Sequence, residues 1–210
     1  MNITAGMVKE LRELTGAGMM DCKKALSATE GDMDKAVEFL REKGLAAAEK
    51  KAGRIAAEGM VDTFISEDDK VASIVEVNSE TDFVAKNEKF REYVAAVAAQ
   101  AAKTKAANLD EFLAEPWALD TSLSVKEELS SMIAVIGENM NIRRFEKIQA
   151  ENGFVASYIH GGGRIGILVE VETTVNNDIT KEAAKNVAMQ IAAMSPKYVS
   201  EAEVPADYLT

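Results

Sequence analysis

The sequence predicts an α+β chain: a three-helix unit, then a β-hairpin-plus-helix unit used twice, the second time incompletely. Three observations carry this reading. Apolar residues recur at helical spacing through residues 4–44. From Gly59, β-branched residues alternate with polar ones in VDTFI and KVASIVEVN, either side of an acidic turn. Residues 153–195 then restate residues 59–101 at a constant offset of 94, without a gap.

Thr4 is placed to cap a first helix with Met7, Val8, Leu11 and Leu14 inward. The turn Thr15-Gly16-Ala17-Gly18 breaks it. A second helix carries Met19, Met20, Cys22, Ala25 and Leu26; one of the two methionines is expected to complete the core and the other to be an adaptable outward contact. Asp32 caps a third helix with Met33, Ala36, Val37 and Leu40 inward, and Gly44 is expected to stop it. A unit this small has a thin core and suits binding better than catalysis. Residues 45–58 are Ala-rich and read as a linker helix; Lys50, Lys51 and Arg54 read as a solvated basic face. The hairpin spans Gly59 to Asn78, with a plain solvated turn at Ser66-Glu67-Asp68-Asp69. A helix follows over residues 86–103. Residues 104–123 read as irregular around Trp117, the single tryptophan. A helix capped near Ser124 ends at Gly137, and Asn141 to Ile148 is the next strand. The expected units are therefore 1–44, a linker at 45–58, a first core unit at 59–150 and a second at 151–210.

In the repeat, Gly59 matches Gly153, Lys70 matches Arg164, Ile74-Val75-Glu76-Val77 matches Leu168-Val169-Glu170-Val171, and Tyr93 and Val97 match Val187 and Ile191. Each sheet has one apolar face, and its helix covers it. The comparison is most informative where it fails. Thr81-Asp82-Phe83 falls opposite Val175-Asn176-Asn177. On spacing alone Phe83 shares a stripe with Phe90 and Val94, which is a core position. The second unit folds with Asn there, so the shared core does not demand a Phe. Core and surface both stay open for it.

The 210 residues carry a formal net charge of −11, which disfavours a nucleic-acid footprint. The single cysteine, Cys22, makes no intrachain disulfide. No apolar run approaches the ~20 residues of a membrane span, and MNITAGMVKEL lacks the apolar stretch of a secretory leader. The expectation is a cytoplasmic protein. Gly161-Gly162-Gly163-Arg164-Ile165-Gly166 matches the spacing G-x-G-x-x-G, but the strand-like ILVEVE follows it where a dinucleotide site needs a helix. His160 is the only histidine, so a zinc site is not supported. As a loop residue it suits contact with a partner better than proton transfer. No cofactor, metal or catalytic residue is expected.

Four separated runs resemble the elongation factor Ts family: KELRELTGAGMMDCKKAL at 9–26, EVNSETDFVAKNEKF at 76–90, IGENMNIRRF at 136–145 and SYIHGGGRIGILVE at 157–170. The resemblance implies a ubiquitin-associated-like N-terminal domain and two related core subdomains. It implies a non-enzymatic guanine-nucleotide exchange factor for the GTPase elongation factor Tu, with a plain protein-binding scaffold as the alternative. Direct binding of nucleotide, nucleic acid or membrane is not expected. Carried over residue by residue, Thr81, Asp82, Phe83 and Val84 would dislodge the partner's magnesium ion, with Phe83 as the wedge. Met19, Met20 and Lys23 would grip the partner's nucleotide domain, and His160 would reach another of its domains. Longer members continue past the position of Tyr198 through a helical hairpin and then complete the second subdomain. This sequence stops at Thr210, which implies either a fragment or an open second subdomain.

Overall fold

The computed structural model describes residues 2–208. Met1, Leu209 and Thr210, the outermost residues of the expected first and last units, lie outside them. Helix α1 (Ala5–Thr15) starts where the Thr4 side chain accepts from the Met7 N–H at 3.2 Å. It ends at Gly16, whose φ of 65° suits glycine. Helices α2 (Met19–Ala28) and α3 (Met33–Lys51) complete the small unit. Its core is Val8, Leu11, Cys22, Ala25, Leu26 and Ala36.

Three expectations fail here. Leu14 is 65% exposed, because the stripe on α1 is already spent on Val8 and Leu11 one turn earlier. Met19 and Met20 are both exposed: the core closes over Cys22, Ala25 and Leu26 and needs neither. Gly44 does not stop α3, which runs through the first half of the expected linker. The residue is buried mid-helix, where a Cβ would stand 3.6 Å from the Ser130 carbonyl oxygen. Its smallness lets α3 approach a later helix closely rather than ending the rod.

In the first core unit β1 (Glu58–Ile65) and β2 (Val71–Ser79) form an antiparallel hairpin. A single turn, α4 (Asp82–Ala85), precedes α5 (Glu88–Ala101). The stretch expected to be irregular is ordered as α6 (Leu109–Ala114) and the short pair β3 (Pro116–Trp117) and β4 (Asp120–Ser124). Asn108 caps α6, and Trp117 is buried beside Tyr93, their ring centroids 5.9 Å apart. Helix α7 (Val125–Ile136) opens on a Ser124/Glu127 capping box and closes at Gly137. Strand β5 (Met140–Gln149) returns to pair with β2, giving the order β1-β2-β5.

Period two along β2 sends Ser73, Val75, Val77 and Ser79 to the α5 side, all buried. There Val75 and Val77 pack with Phe90, Tyr93, Val94, Val97 and Ala101, backed by Phe112, Trp117 and Ile133. The Ser73 hydroxyl donates to the Ala98 carbonyl at 2.6 Å. Ala72, on the opposite face, packs with Ala150 and Val155.

Val155 belongs to the second unit, made of β6 (Phe154–His160), β7 (Ile165–Val171) and α8 (Asp178–Met194). Its hairpin keeps the register of the first: Met60 opposite Val77 becomes Phe154 opposite Val171 when 94 is added to β6's and β7's counterparts, Met60 and Val77. The second hairpin is seated on the free face of the first sheet, with the Val61 N–H donating to the Gly163 carbonyl at 2.7 Å and Lys70 Nζ to the Gly153 carbonyl at 2.5 Å. Helix α8 covers its hairpin thinly. Ala184 and Ala188 are its buried residues, and Val187, opposite Tyr93 in the repeat, is 50% exposed. Among the described residues no helix is long and apolar enough to cross a membrane.

Candidate functional site

Strand β2 leaves the sheet at Ser79, whose hydroxyl donates to the Thr81 carbonyl at 3.1 Å. Thr81 then caps α4, accepting from the Val84 N–H at 3.4 Å. From the other side, both oxygens of Glu138 accept from Thr81, one from its N–H at 3.0 Å and one from its hydroxyl at 2.7 Å. Val84 and Ala85 pack against the main core. The turn is therefore pinned at Thr81 and at Val84. Phe83, between them, is 80% exposed.

The core reading of Phe83 fails for a local reason. It assumed one unbroken helix from residue 83 to Phe90. The chain instead stops at Lys86 and restarts at Asn87, which accepts from the Phe90 N–H at 3.3 Å as the cap of α5. The restart rotates α4 off the α5 stripe. The second unit has no such break: α8 begins directly with Asn177 as its cap, at the repeat position of Phe83.

Asp82 meets Lys86 Nζ at 2.7 Å. That hydrogen bond, then the Lys86 charge and more weakly the Arg164 charge, hold its carboxyl below the ordinary range. Arg164 closes the β6–β7 turn, so this turn and the Phe83 turn approach the same end of β1. His160, expected in a loop, is instead the last residue of β6, paired with Ile165 beside this turn; it is exposed, and its Nδ1 is 2.9 Å from the Tyr158 hydroxyl. Gly161, Gly162 and Gly163 all take positive φ, and the glycine run is a hairpin turn with no helix behind it. Gly163 is buried where a Cβ would meet that of Met60 at 2.9 Å. Met19, Met20 and Lys23 stand exposed on α2, over the separate small core.

Sequence reasoning missed Glu138, because nothing local links it to a residue 57 positions earlier. It also missed a cleft of about 730 Å³ between the α1–α2 turn, α3, α7 and the β3–β4 pair, walled by Leu14, Leu40, Trp117, Leu123 and Met132. Glu128 lines it. Burial, then the Asp120 charge, push its carboxyl up to about 7 against the pull of Arg41. The buried Tyr93 hydroxyl, on which Glu128 acts, has no hydrogen-bond partner among the described residues. Because the folded chain holds the Glu128 proton more tightly than an ordinary glutamate does, the contribution of Glu128 to stability falls as pH rises from about 4 to about 7 and then levels. Glu128→Gln is expected to leave the thermal midpoint unchanged at pH 4 and raise stability at pH 8. After solvent screening the gain is about 1–2 kcal/mol. Equal midpoints for the two chains at pH 8 would contradict it.

The family model described as elongation factor TS matches residues 80–210. The chain is 56% identical over 207 residues to elongation factor Ts of Clostridium novyi, covering 99% of this chain and 68% of that one. It is 58% identical over 207 residues to elongation factor Ts of Clostridium perfringens strain 13, with the same coverage. The chain thus spans about two thirds of the length of these relatives. With the duplicated hairpin and helix in place and this identity running nearly end to end, the chain belongs to the elongation factor Ts family.

Proposed function

We propose that the chain is a guanine-nucleotide exchange factor acting in the cytoplasm during translation elongation: it binds the GTPase elongation factor Tu, displaces its magnesium ion and hastens GDP release. It makes and breaks no covalent bond. The observation that carries the reading is Phe83, a large apolar side chain standing 80% exposed on a turn pinned at both sides. Exposure of that size on a rigid mount suits insertion into a partner. Asp82 adds a negative charge beside it, and Val84 serves as its anchor in the core. Met19, Met20 and Lys23 offer a second contact on the helical unit, and His160 a third at the end of β6.

A nucleotide held at nanomolar strength is bound by about 12 kcal/mol. An exchanger must make contacts with the empty partner that the loaded partner cannot match, and nucleotide and exchanger then weaken each other equally. One aromatic anchor supplies ~2 kcal/mol or somewhat more. Loss of the magnesium ion and the dispersed contacts must supply the rest. The test is release of labelled GDP from elongation factor Tu on adding this chain. Acceleration that saturates with chain concentration is expected. Binding without acceleration would make the chain a scaffold instead.

A further inference from the structure

Two turns far apart in the chain exchange carboxylates. After β2, Glu80 Oε1 accepts from the Asn139 N–H at 2.6 Å. After α7, Glu138 accepts from the Thr81 N–H and hydroxyl. The buried Asn139 side chain extends the link by donating to the Arg54 carbonyl at 2.7 Å, and Arg54 in turn reaches Glu80 at 3.5 Å. Gly137, at φ 89°, turns the chain so that Glu138 follows α7 directly into this arrangement.

The duplicated unit makes its corresponding turn with a different set of contacts. There the strand-to-helix turn caps itself: the Thr180 N–H donates to Asn177 at 3.0 Å, and Thr180 bonds back to the Asn177 N–H at 3.1 Å. At the positions of Glu80 and Thr81 stand Thr174 and Val175, neither of which carries a carboxylate, and Val175 has no hydroxyl to donate to one. The brace occurs in the unit whose turn ends in an exposed Phe.

We propose that Glu138 is a positioning residue for exchange, holding Thr81 by two hydrogen bonds so that α4 presents Phe83 in one orientation. The proposal rests on the exchange reading above. The physical need is plain. Helix α4 has four residues, far below the length at which a helix sustains itself. With Glu138 gone, its start would lose both outside acceptors, and the Phe83 ring would sample many directions that binding must then restrict.

The experiment compares Glu138→Ala and Glu138→Gln in the full chain, each with Phe83 and with Phe83→Ala, by labelled-GDP release from elongation factor Tu and by thermal unfolding. Gln keeps one oxygen for the Thr81 N–H and offers its NH₂ to the hydroxyl. With Phe83 present, Glu138→Ala is expected to slow saturated release by about tenfold, and with Phe83→Ala by less than about twofold. Glu138→Gln is expected to stay within about threefold of the unaltered chain. Equal losses in both backgrounds would make Glu138 merely structural and overturn the proposal. So would an unchanged rate for Glu138→Ala where Phe83→Ala alone slows release. If Phe83→Ala alone releases GDP as the unaltered chain does, it is the exchange reading itself that falls.

Discussion

Phe83→Ala is expected to slow GDP release from elongation factor Tu by at least about thirtyfold and to leave the folded chain as stable as before. The first half follows from the size of a buried aromatic anchor, ~2 kcal/mol or more at an interface. A loss of that size is a factor of about thirty in rate when the contact is made in the exchange complex and not in the separated partners. The second half follows from where the ring stands. A side chain 80% exposed has little burial to lose, while Thr81, Val84 and Glu138 keep their contacts. Stopped-flow release with a fluorescent GDP, alongside thermal unfolding, checks both halves. A lowered midpoint with unaltered release would return Phe83 to a structural role.

Gly153→Ala should cost about 2–3 kcal/mol of stability, the most severe of the substitutions considered for the fold. Its φ is 111°, a region that side-chain-bearing residues rarely adopt, and a Cβ there would drive into the Val171 carbonyl. Gly59, 94 residues earlier, has φ 129° and the same collision with Val77. The two copies keep not only a sequence but a strained entry into the hairpin. The Gly153 carbonyl also accepts from Lys70, so a shift there loosens the seat of the second hairpin on the first sheet. For a chain of this length, a drop in thermal midpoint of roughly 5–10 °C is expected. A change under about 1 °C would contradict it.

The fold was legible in the sequence wherever periodicity ruled. The alternation Val71 to Val77 set β2, and the offset of 94 foretold a second hairpin in the same register. Caps at Thr4, Asp32 and Ser124 placed three helix starts correctly. Reading failed where tertiary contact outweighed local preference. Gly44 resembles a helix stop and is instead a site of close helix approach to Ser130. Leu14, Met19 and Met20 carry the right period but lie outside the small core built around Val8, Leu11, Cys22, Ala25, Leu26 and Ala36. Residues 104–123 lack any period, yet order because Trp117 has Tyr93 to pack on.

Of the candidate site, the contrast with Asn177 left core and surface both open for Phe83, and the family resemblance made it the protruding wedge. A stripe-based reading alone would have buried it, because the helix restart at Asn87 leaves no periodic trace. The brace from Glu138 was not legible at all, since a carboxylate 57 residues from its partner has no local signature. The same holds for Glu128, whose high pKa comes from walls contributed by several distant segments.

The most direct single measurement is saturated GDP release with Phe83→Asn, which installs the amide that the duplicated half carries at the same place. The account predicts an unchanged thermal midpoint and release slowed by at least about thirtyfold. Release at the rate of the unaltered chain would contradict it.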